Sequence, residues 1–400
     1  MKTLFNTTKE RGIVLFLALF LSTTLGDKMS PHPSVYVFNG EKYVVQGELY
    51  SGMIGENLAN YEYFPLPAIQ AQGGNFQLRI SNESNGQQFT DMAQLLVVQH
   101  PQNKEVIMDQ RGKAHLIGKA QKPSSVTSSN GSDLSISTGA KDDQVFAFDN
   151  EEFSRNAVIL KFKKPERTER GKLILRAQSS EWMAQVVDSY YHKFGKDFPR
   201  WLQEQNALSS PERLQGMRDN DLPLSVYLKR DGEWELLEYF VATTPLQARD
   251  LVIPLNLMSI KDSELEMKVE TGFKFWELDF AAMDFTPNGQ VTTTFIQPSS
   301  AMDQDKNNAL SLLADADLKY VLLKKTGDYL ELSYPESAVT NGGGMSTFFL
   351  YTKGYSEMNA HYDGAPAVNE LKVLKEPGAL SDYSKTEYLK RKAEGKVSSM

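Results

Sequence analysis

The sequence predicts a mainly β protein: two to three antiparallel β-sandwich units, jelly-roll-like, with one small helical insertion. Three observations predict it. Short apolar-alternating segments recur every 8–12 residues with turn signals between them, as sandwich strands do. The stretch Gly272-Phe273-Lys274-Phe275-Trp276-Glu277-Leu278-Asp279-Phe280-Ala281-Ala282-Met283-Asp284-Phe285 alternates aromatic or aliphatic residues with acids. That is the pattern of a half-buried strand, because successive side chains point to opposite faces. Helical spacing of apolar residues is concentrated in 179–218.

At 400 residues the chain can bury more than one core, and 40 % hydrophobic content excludes a disordered chain. A net charge of -8 argues against nucleic acid as a partner, since phosphate binding needs a basic surface. Residues 1–26 read as a signal peptide. Lys2, Lys9 and Arg11 form a basic start, Gly12 to Leu21 an apolar run, and Thr24 and Gly26 a small-residue cleavage site. The apolar run is shorter than the ~20 residues of a spanning helix, and no later stretch could span a membrane. An uncleaved N-terminal anchor is the alternative. There are no cysteines, so the cores must hold without disulfides, and a thiolate nucleophile or Cys-ligated metal is excluded. An exported, cysteine-free chain fits the periplasm, cell surface or exterior of a bacterium.

Taken in order, Val35–Phe38 and Glu41–Val45 flank Asn39-Gly40, a strong hairpin signal, because both residues tolerate positive φ. Strands follow at Phe76–Ile80, Gln94–Gln99, Val106–Met108 and Ala114–Ile117, making 35–120 a first β-unit. Residues 121–142, rich in Ser, Thr, Gly and Asn, read as a linker. The second unit, 143–290, has strands at Val145–Phe148, Ala157–Phe162 and Leu173–Leu175. Then Trp182, Met183, Val186, Val187, Tyr190, Tyr191 and Phe194 recur at helical spacing behind Ser179-Ser180-Glu181. Ser210-Pro211-Glu212 starts a further helix. Strands resume at Leu224–Lys229, Trp234–Phe240, Asp250–Leu255 and Leu265–Val269, ahead of the aromatic stretch. A third unit, 291–358, holds Val291–Ile296, Tyr320–Leu323, Tyr329–Tyr334 and Thr347–Tyr351. The tail, 359–400, is polar and reads as loosely ordered, with a short helix near Ser384–Glu394.

Phe38-Asn39-Gly40-Glu41-Lys42-Tyr43, Phe275-Trp276-Glu277-Leu278-Asp279 and Thr347-Phe348-Phe349-Leu350-Tyr351-Thr352-Lys353-Gly354-Tyr355, in this order, resemble an uncharacterised exported bacterial module. It occurs in large surface proteins, sometimes beside FG-GAP/UnbV-type propeller or TPR segments. The resemblance implies a cell-envelope setting and supplies no catalytic residues. Such relatives would carry a cysteine near the start of the module. Ser30 to Ser34 holds none, so the lipid anchor is not expected here.

Chemistry is sparse. His32, His100, His115, His192 and His361 show no zinc-type spacing, and neither a Gly-x-Ser-x-Gly elbow nor a phosphate-binding Gly-Lys-Ser/Thr loop occurs. Asp303, Asp305 and Asn307 alternate as oxygen ligands do in a calcium loop, but Asn308 and Ala314 stand where that loop needs Gly and Glu. A solvated loop therefore explains the pattern better, and calcium is the one cofactor that it suggests. Glu277 and Asp279 would lie roughly 7 Å apart on one strand face, a spacing that suits glycosidase carboxylates and also any exposed strand face. The expectation is thus a non-enzymatic, exported envelope protein with a structural or protein-interaction role. A carbohydrate-binding module with Tyr61, Tyr63, Trp182 and Trp234 as its aromatic platform is the first alternative. A carboxylate-dependent hydrolase is the second.

Overall fold

A computed structural model describes residues 32–50, 55–135, 137–242, 247–339 and 344–396. The segment 1–26 lies outside them. The protein is mainly β, with every paired strand antiparallel and a small helical insertion.

The first strands are β1 (Ser34–Phe38), β2 (Tyr43–Glu48), β3 (Asn60–Pro65), β4 (Asn75–Ser81) and β5 (Gly86–His100). A hairpin follows, β6 (Glu105–Met108) and β7 (Ala114–Ile117). The middle of the chain gives β8 (Ala120–Gln121), β9 (Ser125–Ser128), β10 (Arg155–Lys163) and β11 (Arg170–Ser179). Helices α1 (Glu181–His192), α2 (Phe198–Asn206) and α3 (Ser210–Asp219) come next. After them run β12 (Leu224–Arg230), β13 (Glu233–Phe240), β14 (Arg249–Asn256), β15 (Glu264–Gly272) and β16 (Trp276–Asp284). The last strands are β17 (Thr292–Ile296), β18 (Ser300–Asp303), β19 (Val321–Leu323), β20 (Tyr329–Pro335) and β21 (Met345–Met358), before α4 (Val368–Val373) and α5 (Ala379–Ala393).

The stretches expected as separate units, 35–120 and 291–358, share two sheets. One sheet has the order β18-β20-β4-β1-β2, the other β17-β5-β21-β3 with β19 also on β5. Between them lies one core, with Val35, Leu78, Ile80, Leu330 and Tyr334 on one wall and Phe64, Leu95, Val97 and Leu350 on the other. The physical reason is β5. Nearly all of its second half is buried, so its backbone N–H and C=O groups must find strand partners along both edges. Among the described residues the C-terminal strands supply them, through Tyr351↔Gln94 on one edge and Phe295↔Leu96 on the other.

The second sandwich is spelled out between those halves. Its sheets are β13-β12-β15-β10-β9 and β14-β11-β16-β8, around a core that includes Leu160, Leu175, Met267 and Leu278. Residues 121–142, expected as a linker, contribute to it: β9 pairs with β10, and Thr138 is fully buried. Polar side chains there bond backbone instead of loosening it, as Thr138 Oγ1 does with Leu134 O at 3.0 Å.

The aromatic stretch divides. Gly272 to Phe275 is a corner that carries the chain from one sheet to the other, and the strand begins at Trp276. Phe273, Phe275 and Trp276 are fully buried, each contributing roughly 1.5–3 kcal/mol. Gly272 is required by close approach, since a Cβ there would lie 2.5 Å from the Phe275 ring. Beyond Leu278 a bulge opposite Arg176 and Ala177 shifts the register. Asp279, expected on the exposed face beside Glu277, is consequently buried. Its Oδ2 forms an ion pair with Arg176, 2.9 Å from Nε, and its Oδ1 accepts the Asp143 N–H at 3.0 Å. Glu277 is half-buried and accepts from Gln178 Nε2 at 2.7 Å, so the expected acid pair does not form.

The tail also differs from expectation. Helix α5 docks onto the corner through Leu380, Ser381, Ser384 and Tyr388, all buried. Phe273 N–H donates to Ser381 Oγ at 3.1 Å, and Ser384 Oγ donates to Phe273 O at 2.7 Å. Trp182 Nε1 donates to Ser384 Oγ at 2.8 Å, so α1, the corner and α5 meet at one hydroxyl. Among the described residues no helix is long and apolar enough to cross a membrane.

Replacing Ser384 by Ala should cost about 1–3 kcal/mol, because the Trp182 N–H and the Phe273 carbonyl lose their shared partner. Urea unfolding should show a lower midpoint at unchanged slope.

Candidate functional site: an aromatic sheet face

The face of the β17-β5-β21-β3 sheet turned away from its core carries a row of aromatics. Tyr61 and Tyr63 alternate with Glu62 along β3, so both point outward. Register places Tyr63 opposite Tyr351 on β21, and Tyr351 opposite Gln94 on β5. The Tyr351 ring stacks on Tyr63 at 4.9 Å and on Tyr61 at 5.4 Å, both at 15°. Phe295 leans in from β17 at 5.1 Å. Tyr61 is 40 % and Phe295 50 % exposed, high values for rings that have partners to pack on. Lys353 brings its ammonium to 5.6 Å from the Tyr61 ring. Burial pushes the Tyr63 and Tyr351 hydroxyls above the ordinary phenol range, so both stay protonated donors at neutral pH.

One end of the face is closed. The β6–β7 hairpin covers Leu96, Val98 and Phe349 with Val106, Ala114 and Leu116. Its turn runs against Tyr63, where a Cβ on Gly112 (φ 80°) would collide with the tyrosine hydroxyl. The hairpin is braced inside by His115 Nε2 on Asp109 Oδ2 at 2.8 Å, and outside by Arg111 on Glu238 at 2.9 Å. The other end is closed by Tyr320, which packs edge-on against Tyr355 at 5.3 Å and donates its hydroxyl to Glu56 Oε1 at 3.0 Å. There Tyr355 stacks on Phe89 at 4.4 Å, and a bulge buries Asp91 against Lys353 at 3.2 Å.

Strand β3 is pinned from behind. Glu62 Oε1 pairs with Arg249 Nη1 of β14 at 2.9 Å, and Arg249 Nη2 donates to Glu48 O at 2.5 Å. The guanidinium also lies 4.6 Å over the Phe64 ring. This half-buried cation joins the two sandwiches and fixes the strand that presents Tyr61 and Tyr63. His32 packs beside it, edge-on to Tyr50 at 4.7 Å. Burial, reinforced by Arg249, lowers its pKa to about 4.

The other two aromatics expected in a platform lie elsewhere. Trp182 is 8 % exposed, with Tyr388 edge-on at 5.5 Å and Arg391 at 5.1 Å, so its ring has no face left for a ligand. Trp234 lies half-buried on β13 of the second sandwich, with the Lys229 and Lys268 ammonium groups each 5.5 Å from its ring. Tyr351 and Phe295 complete the row that Tyr61 and Tyr63 begin. Sequence reasoning placed both on strands without assigning them a role. The only signal available was their parity with buried neighbours, and that signal does not say which face is covered.

Asp303, Asp305 and Asn307 form a tight turn after β18. Asp303 Oδ1 accepts the Asp305 and Asn307 N–H groups at 2.9 and 2.8 Å, and its Oδ2 takes Asn307 Nδ2 at 2.9 Å. These bonds hold the Asp303 carboxyl below the usual carboxylate range. Among the described residues no three His, Asp or Glu side chains converge. A small cavity of about 60 Å³ lies between Arg155, Arg218, Asp221, Tyr227 and Glu270. Its two carboxylates share one guanidinium, Asp221 at 3.2 Å and Glu270 at 2.9 Å from Arg155, as in an internal ion-pair network.

No protein-family model and no curated protein matches the chain. A solved structure with some similarity is the GH31 alpha-xylosidase of Xanthomonas citri. It is 13 % identical over 76 % of this chain and 25 % of that one, with a TM-score of 0.19. The chain spans about a quarter of that enzyme's length, and a likeness this slight carries no argument.

Because His32 stays neutral when folded until about pH 4 but takes a proton near 6.5 when unfolded, acid favours the unfolded chain. Stability should fall by on the order of 3 kcal/mol between pH 6.5 and 4 beyond the loss seen in His32→Gln, measured by urea unfolding at each pH.

Proposed function

We propose that this is an exported, non-enzymatic binding protein of the bacterial cell envelope, and that the Tyr61–Tyr63–Tyr351–Phe295 face docks a partner protein. The observation that carries the reading is the row itself: aromatics from three strands gathered on one sheet face, two of them 40–50 % exposed. Gathered exposed aromatics are costly in a soluble protein and mark interaction surfaces. Tyrosine suits protein contacts because it brings a large apolar area and a hydroxyl at low entropic cost. The rings stack on one another, so the surface offers edges and hydroxyls more than one flat plane.

Glycan binding is the second reading, favoured by the Lys353 ammonium beside the outermost ring of Tyr61. Both readings use one face, and a calcium-supported loop at Asp303 is needed by neither.

The test is binding by immobilised protein 27–400 and by its Tyr61→Ala/Phe295→Ala variant, offered purified envelope proteins and, separately, a polysaccharide panel. Both replaced rings are exposed, so the fold is kept. Retention of one protein ligand, weakened more than tenfold in the variant, is expected, since central aromatic contacts are each worth about 2 kcal/mol or more. Retention of a polysaccharide alone, weakened likewise, would establish the second reading. Equal retention by both forms would remove the face from the account.

A further inference from the structure

We infer that β17 is a self-pairing edge, and that two copies of this chain join antiparallel through it into one continuous sheet. Among the described residues β17 has a neighbour on one side only, β5. Alternate backbone N–H and C=O groups along its other side are therefore open to another strand.

Six other sheet edges are defended. Strand β14 carries Pro254, and β13 carries Glu233, Glu235 and Glu238. On β2 the Gln46 amide bonds Val44 O and Val45 O, each at 3.2 Å. Bridges at Thr127↔Asp133 and Met302↔Asn308 cover β9 and β18. Strand β3 contains Glu62 and ends at Pro65. Strand β17, Thr-Thr-Thr-Phe-Ile, has no charge, no proline and no bulge, and three of its five residues are exposed. Natural sheets avoid such an edge unless something pairs with it.

The occupant is argued from charge. From Phe285 to Met302 the sequence has no Asp, Glu, Lys or Arg, the longest such run in a chain that is 24 % charged. At a two-fold interface each residue near the axis meets its own kind, so any charge there repels itself. A net charge of -8 makes two copies repel at a distance, and a neutral strand is the place where they can still touch. A hetero-partner would gain from charges complementary to its own, and β17 offers none.

Pairing centred on Thr294 sets Thr293 opposite the partner subunit's Phe295. Both lie on the outer face, where Phe295 aligns with Leu96 and Thr293 with Val98. The aromatic rows of the two copies then adjoin, doubling the surface described above. Five paired residues a side fall below the ~1,200 Å² of a standard interface, so the dimer is a weak one that dissociates on dilution.

Sedimentation equilibrium over a concentration series tests this, with Thr293→Lys and Thr293→Glu run alone and mixed. Thr293 is exposed, and circular dichroism confirms that the variants fold. Wild type should shift from monomer to twice that mass as concentration rises. Each variant alone should dimerise at least tenfold more weakly, since the two introduced charges lie on a diagonal of about 7–8 Å. The equimolar mixture should recover the dimer, which mere loss of fold could not produce. A wild type that stays monomeric, variants that dimerise as well as wild type, or a mixture that fails to recover would each overturn the inference. Tyr61→Ala, on the opposite edge strand β3, should leave this dimer intact, and a dimer lost in Tyr61→Ala would overturn the inference by placing the contact on the aromatic face.

Discussion

Strand β5 needs neighbours on both sides, and much of the molecule follows from that need. Leu95, Leu96, Val97 and Val98 are all within 1 % of full burial, so alternation fails there and both faces must be covered. One face meets the sandwich core, the other the β6–β7 hairpin. Both edges are taken by strands more than 190 residues further on, β17 and β21. The second sandwich therefore has to fit between two points of the first. Strand β5 holds β17 and β21, and β21 in turn holds β3, so the row Tyr61–Tyr63–Tyr351–Phe295 gathers on one sheet.

The second sandwich has its own organising point, the corner at Gly272–Trp276. Its backbone is bonded from four directions: Gly272 N–H to Asp221 O at 2.8 Å, Lys274 N–H to Phe148 O at 3.0 Å, Phe275 O from Ser180 N–H at 2.9 Å, and Phe273 through the two serines of α5. Each partner comes from a different segment. A buried corner without such partners would leave orphaned polar groups at roughly 1–3 kcal/mol each. The two sandwiches meet at Arg249, which pairs with Glu62 and a β2 carbonyl at once. Removing either partner of such a largely desolvated pair is more costly than the pair is worth against an apolar substitute.

Fold class was legible because it rests on local pattern. The alternating strands, the Asn39-Gly40 turn and the Ser-capped α1 all depend on residues within a few positions of each other. Partnership was not legible. Nothing local in Phe76–Ile80 names Tyr329–Tyr334 as its neighbour, yet Leu78 faces Leu332. The acids at 277 and 279 were misplaced for the same reason, since the bulge that buries Asp279 is set by β11. The tail was read as loose because two of the four buried residues of α5, Ser381 and Ser384, are small and polar, which leaves only Leu380 and Tyr388 as hydrophobic signal. Half of the aromatic row could be named from sequence, at Tyr61 and Tyr63. Trp182 could not be excluded there, because a helical aromatic stripe looks alike whether a sheet or a ligand covers it.

The absence of cysteine makes the interleaved sheets directly testable. Gln77 and Ser333 are half-buried cross-strand partners on β4 and β20, within disulfide range for directly opposed residues. The measurement is oxidation of the Gln77→Cys/Ser333→Cys protein under native conditions, followed by non-reducing electrophoresis and unfolding in denaturant. The account predicts an intramolecular crosslink that forms in the folded protein, and a gain of up to about 5 kcal/mol from closing so long a loop. Free thiols that stay unreacted until denaturant is added would mean that the two ends of the chain do not share a sheet.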